Sequence, residues 1–516
     1  MMLATMDLAP QRLPAPLPVW HAEVDGAQWS ATAAGVAAAG GRLVALWAAD
    51  RPDAGPETVA VCAALAADTG LLWMELPLRP CDHYPDLSPL FACASRMQRA
   101  AADLSGLHAE GARDERPWLD HGLWGEGPPL RRAPDVPAAA PDTLPADYRF
   151  VRVEGDGVHE IAVGPVHAGI IEPGHFRFSV VGEKVLRLEE RLGYKHKGIE
   201  HRFTTLPALD GHRLAGRISG DSTVAYGWAY CMALESAAQV EIPERAAWLR
   251  ALLLERERVA NHLGDLGALG NDAALAFGLA QFSRLREDWQ RLSKDLFGHR
   301  FMMDAVCPGG VAIDLDGPSV DRLLAQCDTI EREVRTLRGI YDEHAGLQDR
   351  FMTTGQVSHE LALRLGLTGL AARASAVGWD LRADHPFEPY RRLSPHPAVH
   401  TKGDVAARVA VRFDEIFESL RLIREMSRRL PGGPRLQHLR LPEGPLQRGL
   451  GWVEGWRGEV VVALALGPDG RVLRCHPHSP SWQYWPVLEH AVIGNIVADF
   501  PLINKSFNLS YSGHDL

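Results

Sequence analysis

PERAAWLRALLLERERVANHLGDLG, residues 243–267, holds Leu249, Leu252, Leu253, Arg256 and Val259 at helical spacing, so a long helix is expected with Pro243 at its first position. Two more stretches repeat the pattern, ALAFGLAQFSRLREDWQRLSKDLFGHRF at 274–301 and VDRLLAQCDTIEREVRTLRGIYDEHAGL at 320–347, each long and charged on one face. Toward the C-terminus the period changes. EVVVALALGPDGRVLRC, 459–475, reads as two β-rich runs joined by the turn Gly467-Pro468-Asp469-Gly470, a hairpin.

Toward the N-terminus, GRLVALWAAD at 41–50 and ETVAVCAALAAD at 57–68 are short apolar segments, strand or helix, followed by a helical stretch from Ser88 to Leu107. Between the two regions EGPPLRRAPDVPAAAPDTLPADY, 126–148, crowds Pro and Ala and loses hydrophobic periodicity. The expected architecture is α+β: a small α+β domain over 1–125, a linker over 126–148, and a large, mainly helical domain over 149–516 with peripheral β-hairpins.

The chain has 516 residues, 46% of them hydrophobic, more than one small core needs. Its net charge of −11 comes from interleaved acidic and basic residues, which excludes a basic footprint for nucleic acid. The start, MMLATMDLAPQRLPAPLP, has no basic n-region, and no 18 uncharged apolar residues run together, so a cytoplasmic location is expected. Seven cysteines lie scattered with no CxxC pair, which argues against an iron–sulfur cluster or a disulfide framework in this chain. Cys475-His476-Pro477-His478 falls below the ligand count of structural zinc and reads as a surface loop. No GxGxxG opens a βαβ unit, so direct NADH binding has no support.

From Gly164 onward, GPVHAGIIEPGHFRFSVVGEKV, GYKHKGIEHRF, NHLGDLG, CPGGV, LRADHPF, LPGGP and GNIVADFPLINKS resemble the large subunit of membrane-bound, energy-converting nickel-iron hydrogenases, of the formate hydrogenlyase and hydrogenase-4 type. The same region is similar to the quinone-site (49-kDa) subunit of complex I. MQRAAADLSGLHAEGARDERPW at 97–118 resembles a motif of the 30-kDa-type subunit of complex I, with Ser105 at the usual Phe, so the chain looks like a fusion of the two.

The resemblance places the four metal-binding cysteines of the hydrogenases in RISGDS (217–222) and SFNLSYSG (506–513), where Ser219, Ser222, Ser510 and Gly513 stand. Hydroxyls and a glycine do not replace thiolates, which supply both charge and polarisable sulfur to a soft metal. The chain also ends at Leu516, where the family carries a cleaved tail. The expectation is therefore no metal site and no hydrogenase activity of its own.

Other positions carry over from the family. Glu172 matches a proton-passing glutamate, and a buried carboxylate there would have a raised pKa; the alternative is a local cap or pair. His175 matches the histidine that hydrogen-bonds quinone in complex I, or is a core histidine. Arg457 matches an arginine overhanging the metal site, or pairs with Glu454 or Asp384. Asp384 and His385 belong to a motif near the cavity, with a turn at Pro386 as the other explanation. The second quinone-binding tyrosine of complex I is absent near Gly220, and Tyr226 would serve only if its helix turns favourably.

These matches imply a peripheral redox subunit, on the cytoplasmic face of a membrane complex that translocates ions. It would have no intrinsic cofactor, an Fe–S cluster in a partner small subunit (complex I 20-kDa-like), and ferredoxin-like and antiporter-like membrane subunits as further partners in a hetero-oligomer. Two readings stay open. Either Glu172, His175 and Arg457 serve an emptied cavity that hosts quinone or another acceptor, or the subunit is catalytically inactive and couples an Fe–S module to the membrane arm. An open tunnel lined by Glu172 and His175 would favour the first, a closed site packed by Tyr226 and Phe507 the second.

Overall fold

The computed structural model describes residues 8–51, 53–55, 58–79, 82–125, 127–131, 148–169, 171–441 and 444–516. Of the Pro/Ala linker expected at 126–148, residues 126 and 132–147 fall outside them.

A five-stranded mixed sheet forms the core of the N-terminal region. Strands β1 (Gln11–Arg12), β2 (Val19–Glu23), β3 (Arg42–Asp50), β4 (Val59–Ala67) and β5 (Gly70–Leu78) lie in the order β1-β2-β5-β4-β3, with β2 and β5 parallel and the other pairs antiparallel. Helix α1 (Gly26–Ala38) starts at a capping box in which the Asp25 side chain accepts from Gln28 N at 2.8 Å and the Gln28 side chain from Asp25 N at 3.1 Å. Both candidate apolar segments of this region are strands. The helical stretch expected from Ser88 is shorter, α2 (Ala94–Ser105), closed by Gly106 in the left-handed conformation.

A second antiparallel sheet follows, β6 (Val158–Val163), β7 (His175–Val181) and β8 (Lys184–Arg191), in the order β8-β7-β6. The helical body comes next: α3 (Thr223–Ala237), α4 (Glu244–Asp272), α5 (Ala276–Phe297), α6 (Gly317–Glu343) and α7 (Val405–Arg428). The three long helices read from the sequence are α4, α5 and α6. Pro243 is the N-cap of α4 rather than its first residue, and the helix begins at Glu244.

Strands β9 (Gln447–Glu454), β10 (Glu459–Leu466) and β11 (Val472–His478) form another three-stranded antiparallel sheet, order β9-β10-β11, whose β10–β11 turn is the expected Gly467–Gly470. This sheet is deeper than the peripheral position expected of it, for every residue of β10 is buried. Two glycines allow that depth. A Cβ on Gly449 or Gly451 would meet the carbonyl oxygens of Ala233 and Ala229 at 1.9 and 1.8 Å, so β9 lies directly on the backbone of α3. All 15 residues of α3 are buried as a result. Short helices α8 (Ser481–Ala491), α9 (Phe500–Phe507) and α10 (Tyr511–Asp515) complete the fold.

The segment Cys475-His476-Pro477-His478 is not a surface loop. It is the end of β11, and Cys475, His476 and His478 are all buried. Polar side chains survive there because their partners come from distant elements: His476 Nδ1 lies 2.7 Å from Glu200 and its ring stacks on Trp47 of β3 at 4.9 Å. That stack belongs to a broad interface between the first sheet and the large body. Arg42 donates to Glu459, Gln483 Nε2 to Val44 O at 2.7 Å, Arg474 Nε to Ala48 O at 2.7 Å, and Arg448 Nε to Glu75 at 2.8 Å.

Candidate functional site

RISGDS forms the turn that leads into α3, with Ser222 N donating to Ser219 O at 3.0 Å. SFNLSYSG spans the end of α9 and the start of α10, and Asn508 takes the left-handed conformation (φ +48°) that reverses the chain between them. The fold brings these distant stretches together. Ser219 Oγ lies 3.0 Å from Ser510 Oγ, and Ser510 Oγ accepts from Gly513 N at 2.9 Å as the N-cap of α10. Ser222 stands 3.1 Å from Arg457 Nη1. The four positions expected to replace metal ligands therefore share one site.

Arg457 closes it. The residue is 5% exposed and follows β9; Nη1 donates to Asp221 Oδ1 at 2.9 Å, Nη2 to Asp221 Oδ2, and Nε to the carbonyl of Asn508. Its guanidinium lies 4.0 Å over Trp456, whose Nε1 donates to Asp221 O at 2.8 Å. Burial alone would raise the Asp221 carboxyl, but the Arg457 charge and hydrogen bonds, with a donor from Ser219, hold it well below the usual range. The partner of Arg457 is therefore Asp221, neither Glu454 nor Asp384.

Behind this pair sits a second anionic group. Asp265, from NHLGDLG, accepts from Asn508 Nδ2 at 2.7 Å and pairs with Arg412 at 2.9 Å and Lys505 at 3.2 Å. Ser222 makes no side-chain cap for α3. Glu257 of α4 caps it instead, accepting from Val224 N at 2.6 Å and Ala225 N at 3.2 Å. Burial pushes the Glu257 carboxyl up to about 8, and these donors offset that only in part. Asp221, Asp265, Asn508, Lys505 and Glu257 are site residues that the sequence reading passed over. Their one signal was position: Asp221 stands inside RISGDS, Asn508 and Lys505 within or beside the second motif.

Tyr226 does point into the site. It lines the same cavity, and a Cβ on Gly513 would lie 2.8 Å from its hydroxyl. The cavity measures about 10 Å³, at the lower edge of what one water requires. Phe507 does not line it; its ring lies 4.1 Å beneath the Arg408 guanidinium.

The remaining expected residues lie elsewhere. Glu172 is half-exposed rather than buried; it accepts from Ser512 N at 3.0 Å and from Ser512 Oγ, with Lys195 at 3.8 Å. It thus touches the flank of the second motif and does not line the cavity. His175 opens β7, with Nδ1 3.3 Å from Gly164 O and Nε2 buried without a partner, and its ring is 5.2 Å from Phe150. Burial lowers its pKa, which leaves the imidazole neutral near pH 7. Asp384 accepts from Asp380 N at 2.9 Å at the end of a four-residue helix, and His385 lies 5.5 Å from Trp452. Neither reaches the serines.

The donor set does not fit a nickel–iron pair. It presents hydroxyls already bonded to one another and to an Asp–Arg pair, with no thiolate, and the described residues contain no group of three His, Cys, Asp or Glu placed to hold a metal ion. A cavity of about 10 Å³ has no room for a quinone ring either.

Two family profiles match the chain: "Respiratory-chain NADH dehydrogenase, 30 Kd subunit" over residues 22–140 and "Respiratory-chain NADH dehydrogenase, 49 Kd subunit" over 272–448. Formate hydrogenlyase subunit 5 of Escherichia coli is 32% identical over 84% of this chain and 77% of its own length. The carbon monoxide-induced hydrogenase of Rhodospirillum rubrum is 31% identical over 68% of this chain and 97% of its own. Among solved structures, a chain of an archaeal membrane-bound sulfane sulfur reductase superposes with a TM-score of 0.65 at 25% identity, over 70% of this chain and 99% of that one.

Proposed function

The chain belongs to the family that unites the 30-kDa and 49-kDa subunits of respiratory NADH dehydrogenase with the large subunits of formate hydrogenlyase-type hydrogenases, and from that premise we propose a coupling rather than a catalytic role for its serine site. The protein acts as a peripheral subunit of a membrane-bound, complex I-like or hydrogenase-related assembly. It joins an iron–sulfur module, made of a 20-kDa-like small subunit and a ferredoxin-like subunit, to antiporter-like membrane subunits on the cytoplasmic face. No described helix is long and apolar enough to cross a membrane, which suits attachment through partners.

One observation carries this reading: the site that would hold the metal is filled by its own side chains. Ser219 and Ser510 bond across it at 3.0 Å, Asp221 and Arg457 lock its rim, and about 10 Å³ is left. A site of that kind orders two chain segments and admits no substrate.

The test uses the purified native assembly. Nickel per copy of this chain and hydrogen uptake are expected at background. Ser219→Ala should leave donor-to-acceptor turnover unchanged, whereas deleting the chain should release the iron–sulfur module from the membrane. Nickel near one per copy, or turnover lost in Ser219→Ala with the assembly intact, would refute the coupling role.

A second reading keeps an observation of its own. His175 Nε2 is buried without a partner beside Phe150, so an acceptor such as quinone could bond there, at the flank rather than at the serines. Under that reading His175→Ala lowers acceptor turnover in intact assemblies.

A further inference from the structure

A second cavity, of about 790 Å³, lies along α3 from Trp228 to Ser236, roughly 9 to 21 Å along the helix from Ser222. Its walls are mostly apolar. Trp228 and Met232 of α3 form one side, Val240 and Ile242 of the following loop another, and Phe387 faces Trp228 edge-on at 5.7 Å. Leu13, beside the first strand, belongs to the far wall. A volume and lining of this kind suit one small molecule rather than a folded partner element.

The charges of its lining are unevenly paired. Glu235 and Arg250 are buried and bonded to each other at 2.6 Å, and Arg392 pairs with Glu244 at 2.7 Å and Glu388 at 3.1 Å. Arg12 and Arg391 also line the cavity, and among the described residues neither has a carboxylate partner: Arg12 lies 6.0 Å over Trp20, and Arg391 reaches only the Pro386 carbonyl at 3.4 Å. Four arginines and four glutamates line the cavity and balance overall, but Glu244 and Glu388 share Arg392, which leaves Arg12 and Arg391 without a carboxylate of their own and Glu241 without a cation among the described residues. Deeper in, Ser236 is 3% exposed and its hydroxyl has no hydrogen-bond partner.

We propose that this cavity binds an amphipathic anion, an apolar chain or ring that packs against Trp228, Met232 and Phe387 and ends in a carboxylate or phosphate held by Arg12 and Arg391. The apolar body supplies affinity and the planar guanidinium forks supply the preference for an anionic head. The site is independent of the serine cluster and of the coupling role argued above.

Photolabelling of the full chain in its native assembly tests it, with diazirine-bearing decanoic acid, decyl phosphate and decanol as probes. The acid or the phosphate should label the segments 228–242 and 387–392. Replacing Arg12→Ala and Arg391→Ala together should weaken that labelling about tenfold, the effect of losing one to two charge-assisted contacts. Decanol should label about tenfold less in the unaltered protein and respond to neither substitution. Both arginines are exposed, so the double variant is expected to fold. Whichever head group labels more strongly tells a fatty acid or metabolite carboxylate from a phosphate ester. Labelling confined to other segments, equal labelling by decanol, or no change in the double variant would overturn the proposal.

Discussion

Arg457 donates through both terminal nitrogens to Asp221, a residue 236 positions away, and the pair bridges the two motifs because the same guanidinium also holds the carbonyl of Asn508. Asp221→Asn should therefore do more harm than the loss of an ordinary surface pair. Arg457 is buried and would keep its charge without its paired carboxylate, at a cost of about 2 kcal/mol, below the full buried-pair penalty because Asp221 is partly exposed and Asp265 still lies behind the pair. Urea denaturation of the purified protein measures it, and Arg457→Met in the same background should recover part of the loss.

Gly513 stands where a Cβ would lie 2.8 Å from the Tyr226 hydroxyl and 2.9 Å from Ser510 Oγ. Gly513→Ala is expected to destabilise by about 1–3 kcal/mol through overpacking. Adding Tyr226→Phe removes the hydroxyl and should return a measurable share, so the double-mutant cycle should show a coupling above 0.5 kcal/mol by the usual range for residues in contact. Additive effects would mean the two do not touch.

Glu257 gives a pH signature. Its folded carboxyl titrates at about 8 and an unfolded glutamate near 4.3, so the native state holds a proton that the unfolded state has lost between those values. Stability should fall as pH rises through that window, by about 1.4 kcal/mol per unit at most. In Glu257→Gln this component of the slope should vanish, as read from urea midpoints at pH 5, 6, 7 and 8.

Glu75 works in the opposite direction. Burial would raise it, yet hydrogen bonds from His21 and Arg448 hold it at about 2. Its contribution is complete above the unfolded pKa and lost as pH falls from about 4.3 toward 2. Arg448→Ala should cost about 1–2 kcal/mol at pH 7 and less at pH 3, and the difference between those two midpoints is the measurement.

What the sequence made legible follows from the kind of signal each element carries. Helices α4 to α6 repeat an apolar stripe over many turns, and the Gly467–Gly470 turn announces itself by residue type, so both were readable locally. The depth of β11 was not, because His476 is tolerated inside through Glu200 and Trp47, both far away in sequence, and His478 through Gln483 of the helix that follows the strand. The run Glu255-Arg256-Glu257-Arg258 looks like a solvated face, yet all four residues are buried. Glu255 is met by Arg382 at 3.0 Å, and Arg258 by the carbonyl of Glu454 at 2.8 Å. Convergence of the serine positions was legible through resemblance alone; that Asp221 would take Arg457 was not, since nothing local distinguishes it from any turn aspartate.

The contact face between the first sheet and the large body carries buried charge: Arg42 pairs with Glu459, Arg448 with Glu75, and Arg474 donates to the Ala48 carbonyl. Two free proteins would meet across such a face only at a substantial desolvation penalty, and their pairing would weaken with dilution. Carried on one polypeptide, the halves meet in an intramolecular step whose effective concentration does not depend on dilution. Their union is then insensitive to how much protein the cell makes, and equal numbers of the two halves are guaranteed at synthesis.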